Sequence, residues 1–488
     1  MKSIEVVLVS VLCCTASGAL RAQQDAPADL GRAVYVHDTS TNPFLLPHDG
    51  NEIGDPFPVY WDDVWHLYAL RADLCAVLHF TSPDLVKWAE HEPAMVGEGI
   101  ATGTVVRHDK MFYLFYTDAP SQTIHLVVSD NPWEFDIKTS RLVAKADQKR
   151  YLLQEFRDPY IFYYEKEKNW WMIPEARCPE VCSGRLTSKD LLEWTLHEPI
   201  FKDKSRRHGS CPQLFEEDGR WYLTCLDYGT WYYCAATPYG PWKLRGQYHS
   251  KFLTAASRHA TDGRRRLCWG FFAKYPTPER KWRGYGGPLG VGRELVFNDD
   301  GIIGVRPLAE LIAAIHSFPN HVNLFASAKG RSGKWRIDAS KEMFQSENER
   351  GGVLLFDLPE RNPDYYFKAD IRFASTQSTA DVVLRTSENY DRGYRVEIDP
   401  NRSRIGIREF KPGGDAFIEK NYTLVKGDTV ELQVFVCGNQ IEAFVDGQAS
   451  LSARILDRSG HRLAIEIAGG RATISKPLLH YFSYREGR

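Results

Sequence analysis

One thirteen-residue phrase occurs twice in this chain: residues 81–93 read TSPDLVKWAEHEP and residues 187–199 read TSKDLLEWTLHEP. Looser versions stand at 129–135 (SDNPWEF) and 237–243 (TPYGPWK). Each follows a pair of alternating aromatic and β-branched runs joined by a charged or DG turn. Examples are PVYWDDVWHLYAL from Pro58, TVVRHDKMFYLFYT from Thr104, YIFYYEKEKNWWMIPEA from Tyr160 and QLFEEDGRWYLTCLD from Gln213. Period-two alternation with such turns is the signature of antiparallel hairpins. Equivalent units begin at Asp55, Gly103, Asp158, Ser210 and near Ser257, spaced by 48, 55, 52 and 47 residues. A four-stranded unit recurring every ~40–50 residues cannot bury both faces alone and stacks into a β-propeller. Five units predict five blades. Because the first strand of each blade lines the central channel, residues some fifty positions apart become neighbours around one pit.

Beyond the short helical stretch Leu308–Ile315, residues 336–486 alternate again (YYFKADIRF, DVVLRT, YRVEID, VELQVFV, QIEAFVD, HRLAIEI), which predicts a β-sandwich. The expected class is all-β: a five-bladed β-propeller over 30–315, a linker over 316–335 and the sandwich over 336–486. Arg395, Glu397 and Arg408 alternate with apolar neighbours and read as a solvated face. Residues 1–22 read as a signal peptide, with Lys2, an apolar run from Val6 to Cys14 and small residues Ala16–Ala19. The run is too short to span a bilayer, so a secreted or periplasmic protein without a membrane anchor is expected.

Charge excludes one class of partner. Against 61 Lys and Arg stand 63 Asp and Glu, with no long basic block, which is not the footprint of a general nucleic-acid binder. The 13% aromatic content suits strands and sugar-stacking clefts alike. In an exported chain Cys178 with Cys182, and Cys225 with Cys234, are candidate disulfides. The cysteines lack the paired CxxC or HxxxH spacing of a zinc site, and no metal or organic cofactor is required.

Chemistry concentrates at the starts of blades. Asp55-Pro56 opens the first unit and Arg157-Asp158-Pro159 the third. Two carboxylates brought to one mouth suit glycoside hydrolysis, where one acts as nucleophile or base and a second acid protonates the leaving oxygen. Arg157 holds Asp158 ionised and offers a planar fork to sugar hydroxyls, so a third group has to supply the proton. Glu175 in MIPEA, on the next strand of the same blade, is the candidate. His208 is a candidate donor or substrate contact, and Asp118 and Asp227 close second strands in blades two and four. Trp282 and Tyr285, in the loop KWRGYGGP, are candidate sugar contacts.

These motifs resemble the propeller glycosidases of glycoside hydrolase families 32 and 43, and family 32 (invertases, levanases, inulinases) more closely. IGDP at Asp55 resembles that family's nucleophile motif, ATGTVV its Ser-Gly-Ser segment, and EFRDP its RDP motif. GSCPQLF resembles its Glu-Cys-Pro, GRELVF and GVRP the end of its propeller, and VELQVFVCGNQIEAFVDG its C-terminal domain. The resemblance implies that Asp55 is the nucleophile, that Asp158 stabilises the transition state and contacts sugar hydroxyls, and that the substrate is a fructosyl or related furanoside in an oligo- or polysaccharide. Two positions depart from the pattern. Gly54 replaces the family's Asn, and Ser210 replaces its general acid Glu, leaving a hydroxyl able only to contact substrate. The alternatives are an inverting family-43 arabinofuranosidase or xylosidase, and a sugar-binding propeller that has lost catalysis.

Overall fold

The computed structural model describes residues 32–482 except 154, 207, 228, 250–254, 274–284, 320, 359–363, 412–415, 425–428 and 456–459. The described residues form five antiparallel sheets arranged as a propeller, then two seven-stranded sheets. The inner strands of the blades are Ile53–Trp61, Ile100–His108, Arg157–Tyr164, Ser210–Glu217 and Ala255–Thr261. Each touches the next, and the fifth returns to the first. The turns after the inner strands of blades one, two and four carry two consecutive residues with positive φ: Asp62-Asp63, Asp109-Lys110 and Asp218-Gly219. That geometry matches the twist of the strands it joins.

Apolar side chains pack between neighbouring blades. Phe57, Tyr68 and Leu70 of blade one meet Val105, Leu114 and Val127 of blade two, while Ile173 and Trp171 of blade three meet Leu214 and Leu223 of blade four. The ring closes where Trp269 of blade five packs on Trp65 and Trp88 of blade one, with centroids 5.7 and 5.6 Å apart.

The repeated phrase is a turn, and its letters have local causes. Ser82 Oγ accepts the Leu85 N–H at 2.8 Å, Asp84 Oδ1 accepts Val86 and Lys87 N–H at 2.9 and 2.8 Å, and Leu85 sits at φ 63°. The later copy repeats this with Ser188, Asp190 and Leu191, the last at φ 66°. Short polar side chains capture amide groups that the sheet leaves unpaired.

A helix, Ala309–Ser317, leads out of the propeller. The sandwich begins earlier than its alternation indicates. Ala328–Ser332 pairs with Gly351–Asp357 as an edge strand, inside the segment expected to be linker. Its sequence, AKGRS, is polar and mostly exposed, so it carries no hydrophobic alternation to read. The face expected to be merely solvated is cross-linked instead: Arg395 binds Asp381 and Glu466 at 2.6 and 2.8 Å, and Arg408 pairs with Glu397 and Glu419.

Sandwich and propeller share a buried ion pair. Arg293 of blade five donates to Glu442 of the sandwich at 2.6 Å, both side chains fully buried. Glu442 also accepts the Val291 N–H and the Ser452 hydroxyl.

Candidate active site

All five inner strands break register at the same level, two or three residues into the strand. The irregularities fall between Ile53 and Pro56, Ala101 and Gly103, Arg157 and Tyr160, Ser210 and Gln213, and Ala255 and Arg258. A bulge re-aims side chains that a regular ladder would send to either face. It also accommodates Pro159 and Pro212, because proline has no N–H to give and a bulge asks for none, whereas Pro56 follows its bulge and is in register with Ala69. The bulged residues are Gly54-Asp55, Thr102, Asp158-Pro159, Cys211-Pro212 and Ala256-Ser257. Asp55 is the second bulge residue of its strand and Asp158 the first of its own, so the two Asp-Pro pairs are offset by one position. Asp158, Cys211 and Ala256 lie at φ 55°, 51° and 47°, conformations that L-residues hold only when their surroundings impose them.

Asp55 is 9% exposed and accepts the Thr102 hydroxyl on Oδ2. Burial, and then the charge of Asp158, push its carboxyl up to about 6, against the opposing pull of Thr102, Tyr285 and Arg258. Asp158 is 4% exposed. Its N–H donates to Thr117 Oγ1 at 2.9 Å, and its Oδ2 accepts the Cys211 N–H at 3.1 Å. Beneath this pair, Arg258 of blade five lies buried. It donates to the carbonyls of Gly103, Asp158 and Pro159 and to Thr104 Oγ1 at 2.8–3.1 Å, tying blades two, three and five together.

Glu175 faces the same centre. It pairs across the hairpin with Arg157, whose Nε donates to Glu175 Oε2 at 2.9 Å and lies 3.9 Å from Asp158 Oδ2. Glu175 has no exposed surface, while Arg157 keeps 25% of its side chain exposed. Burial and then the Asp158 charge raise the Glu175 carboxyl to about 7, opposed by Arg157 and then by the neighbouring Ser210 hydroxyl. A fully buried carboxyl whose titration is raised toward neutrality thus stands next to Ser210.

Comparison with known proteins agrees with this architecture. The profile of the glycosyl hydrolases family 32 N-terminal domain matches residues 53–265, and that of the family 32 C-terminal domain matches residues 330–476. The chain belongs to glycoside hydrolase family 32. A levanase of Bacillus subtilis is 24% identical over 93% of this chain and 72% of its own length, and an invertase of Debaryomyces hansenii is 24% identical over 35% of this chain and 37% of its own. Among solved structures, sucrose-6-phosphate hydrolase from Lactobacillus gasseri aligns with a TM-score of 0.64 at 16% identity, covering 91% of this chain and 94% of that one. Fructan 1-exohydrolase IIa from Cichorium intybus aligns with the same score at 13% identity, covering 89% and 97%. These two likenesses concern the fold.

Within the family-32 frame, Arg157, Asp158, Glu175 and Ser210 come together beside Asp55. His208 is exposed two residues before the Ser210 strand. Trp282 lies outside the described residues, as does the expected signal peptide. Asp118 caps its own loop through the Ser121 N–H at 3.1 Å. Asp227 follows Leu226, the cross-strand partner of Ser210, and its Oδ1 is buried without a hydrogen bond among the described residues. The eight described cysteines are all thiols. Cys225 lies opposite Trp231 and Cys234 opposite Tyr222, a three-residue offset that keeps those two sulfurs apart. Cys178 and Cys182 are both buried close to one another, and burial followed by that neighbour raises the Cys182 thiol.

Sequence reasoning passed over Thr102, Thr117 and Arg258. Thr102 and Arg258 sit at or beside a bulge, so aligning all five inner strands by register, rather than looking for carboxylates, would have found them.

Proposed function

We propose that this chain hydrolyses β-fructofuranosidic bonds in sucrose- or fructan-like substrates, outside the cytoplasm, with net retention. Asp55 attacks the anomeric carbon as a carboxylate while the bond to the leaving oxygen breaks and Glu175 gives that oxygen its proton. Water then attacks the fructosyl–Asp55 ester, Glu175 takes one of its protons, and Asp55 is released ionised. Asp158, fixed by two backbone contacts, accepts hydrogen bonds from sugar hydroxyls, and Arg157 orients both carboxylates. The observation that carries this reading is the raised Glu175 carboxyl beside Ser210. It offers a carboxyl able to carry a proton close to neutral pH on the neighbouring strand, where the family's usual residue is missing.

One observation favours a second reading. Glu175 is closed off behind Arg157, so a donor role requires that arginine to swing aside when substrate binds; if it stays, the propeller binds fructosides and scarcely turns them over. Sugar release from sucrose, inulin, levan and an aryl fructoside by the purified protein, Asp55→Asn and Glu175→Gln separates the two. Turnover of natural substrates that is lost in both variants supports the hydrolase. Turnover of the aryl substrate alone, unaffected by Glu175→Gln, removes Glu175 from the role of acid. Binding without release of any sugar supports the second reading.

A further inference from the structure

The residue before Asp55 and an aromatic side chain 231 positions further along the chain occupy one space. A Cβ on Gly54 would overlap the hydroxyl, Cζ and Cε1 of Tyr285. The Asp55 N–H donates to that same hydroxyl at 2.9 Å. The phenol ring is anchored edge-on against Phe271 with centroids 5.3 Å apart, and the neighbouring Gly287 exchanges backbone hydrogen bonds with Ile53 on the Asp55 strand. Having accepted an amide proton, the hydroxyl has its own proton to direct at the Asp55 carboxylate, with which it interacts.

We propose that Tyr285 is the positioning residue of the nucleophile, and that glycine at position 54 is what admits it. This rests on the reading of Asp55 as nucleophile. The phenol holds the bulged backbone of Asp55 from one side while Thr102 holds the carboxylate from the other. In the family pattern position 54 carries Asn, whose side chain could not share this space with Tyr285, so the glycine and the tyrosine form one exchange. The other charged or ionisable groups facing Asp55 are Asp158, which disfavours its charge, and Arg258, which favours it; Cys211 lies beside the same cluster.

The experiment is a carbon-13 carboxyl NMR titration of aspartate-labelled protein, with the Asp55 signal assigned by its loss in Asp55→Asn. Loss of one hydrogen bond to a carboxylate in Tyr285→Phe is expected to move the Asp55 titration up by about one pH unit. The acid limb of kcat/KM should shift with it and the plateau fall about tenfold. Gly54→Asn should lower the thermal midpoint by forcing the tyrosine out. Adding Tyr285→Ala to Gly54→Asn should lower the midpoint by less than the sum of the two single changes, because the clash is then gone, while leaving the titration displaced. An unmoved titration in Tyr285→Phe, or a Gly54→Asn protein with unaltered midpoint and titration, overturns the inference. If the titration moves as expected but the wild type releases no sugar, the positioning contact stands and the fructosidase reading falls. If sugar release depends on Asp55 yet the titration is unmoved, the reverse holds.

Discussion

Asp55 is expected to weaken the fold that carries it, and the size of the effect follows from its surroundings. In the unfolded chain its carboxyl titrates near 3.8, and in the folded protein near 6. Between those values the folded state binds the proton that the unfolded state has lost, so stability falls as pH rises through this window. Below it both states are protonated and the cost is absent; above it the cost is complete. About two units at 1.36 kcal/mol each gives roughly 3 kcal/mol at neutral pH. Asparagine keeps the shape without the charge. Asp55→Asn should therefore be inactive yet unfold at a higher urea concentration than the wild type at pH 8, with the difference shrinking as pH falls through 6 and vanishing near pH 4. The assay is urea unfolding followed by tryptophan fluorescence at several pH values. A difference that does not change with pH, or a variant less stable than wild type at pH 8, would refute the claim that burial and the Asp158 charge govern this carboxyl.

The proposed mechanism needs Asp55 ionised and Glu175 protonated, so kcat/KM should follow a bell with its maximum between pH 6 and 7, close to the values of about 6 and about 7 for these groups; a plateau extending to pH 9 would exclude Glu175 as acid. Glu175→Gln should lose ~10²–10⁴-fold on sucrose or inulin and far less on an aryl fructoside, since general acid catalysis is worth about that much. Ser210→Glu combined with Glu175→Ser, which returns the acid to its usual family position, should retain measurable turnover of natural substrates, whereas Ser210→Ala,Glu175→Ser should have none. Arg258→Met removes the charged hydrogen bonds to three backbone carbonyls at the propeller centre, of which only that of Pro159 keeps a side-chain donor, Thr104, and should cost several kcal/mol, each lost charged hydrogen bond being worth about 1.5–3 kcal/mol; differential scanning calorimetry checks it.

The blade count was legible because the same physical demand recurs five times and leaves the same letters behind. Ser82, Asp84 and Leu85 reappear as Ser188, Asp190 and Leu191 since one turn needs one set of acceptors and one left-handed residue. Asp158-Pro159 and Cys211-Pro212 were legible for a related reason, a bulge being one of the few places in a sheet that favours proline. Glu175 could be placed by strand register alone. Tyr285 could not be placed at Asp55, because its contact spans 230 residues and depends on the missing side chain of Gly54. Arg258 was hidden inside SRHAT, where an arginine after serine reads as surface; only ring closure makes that position the centre of the molecule. The offset of the two Asp-Pro pairs escaped notice because sequence alignment of the repeats shows motifs in step and does not show which bulge residue each occupies.

The Arg293–Glu442 pair makes the boundary between the two halves of this protein a poor place to cut. Taking away the sandwich would bare the guanidinium, and taking away the propeller the carboxylate, each among apolar side chains built to be covered, while replacing one partner inside the intact protein leaves the other charge buried and unpaired at a cost of about 3–5 kcal/mol. Grafting a foreign sandwich onto this propeller would therefore succeed only if the graft brings its own anion to the same spot. Each half holds one end of a lock, and neither is a module that can be shuffled freely.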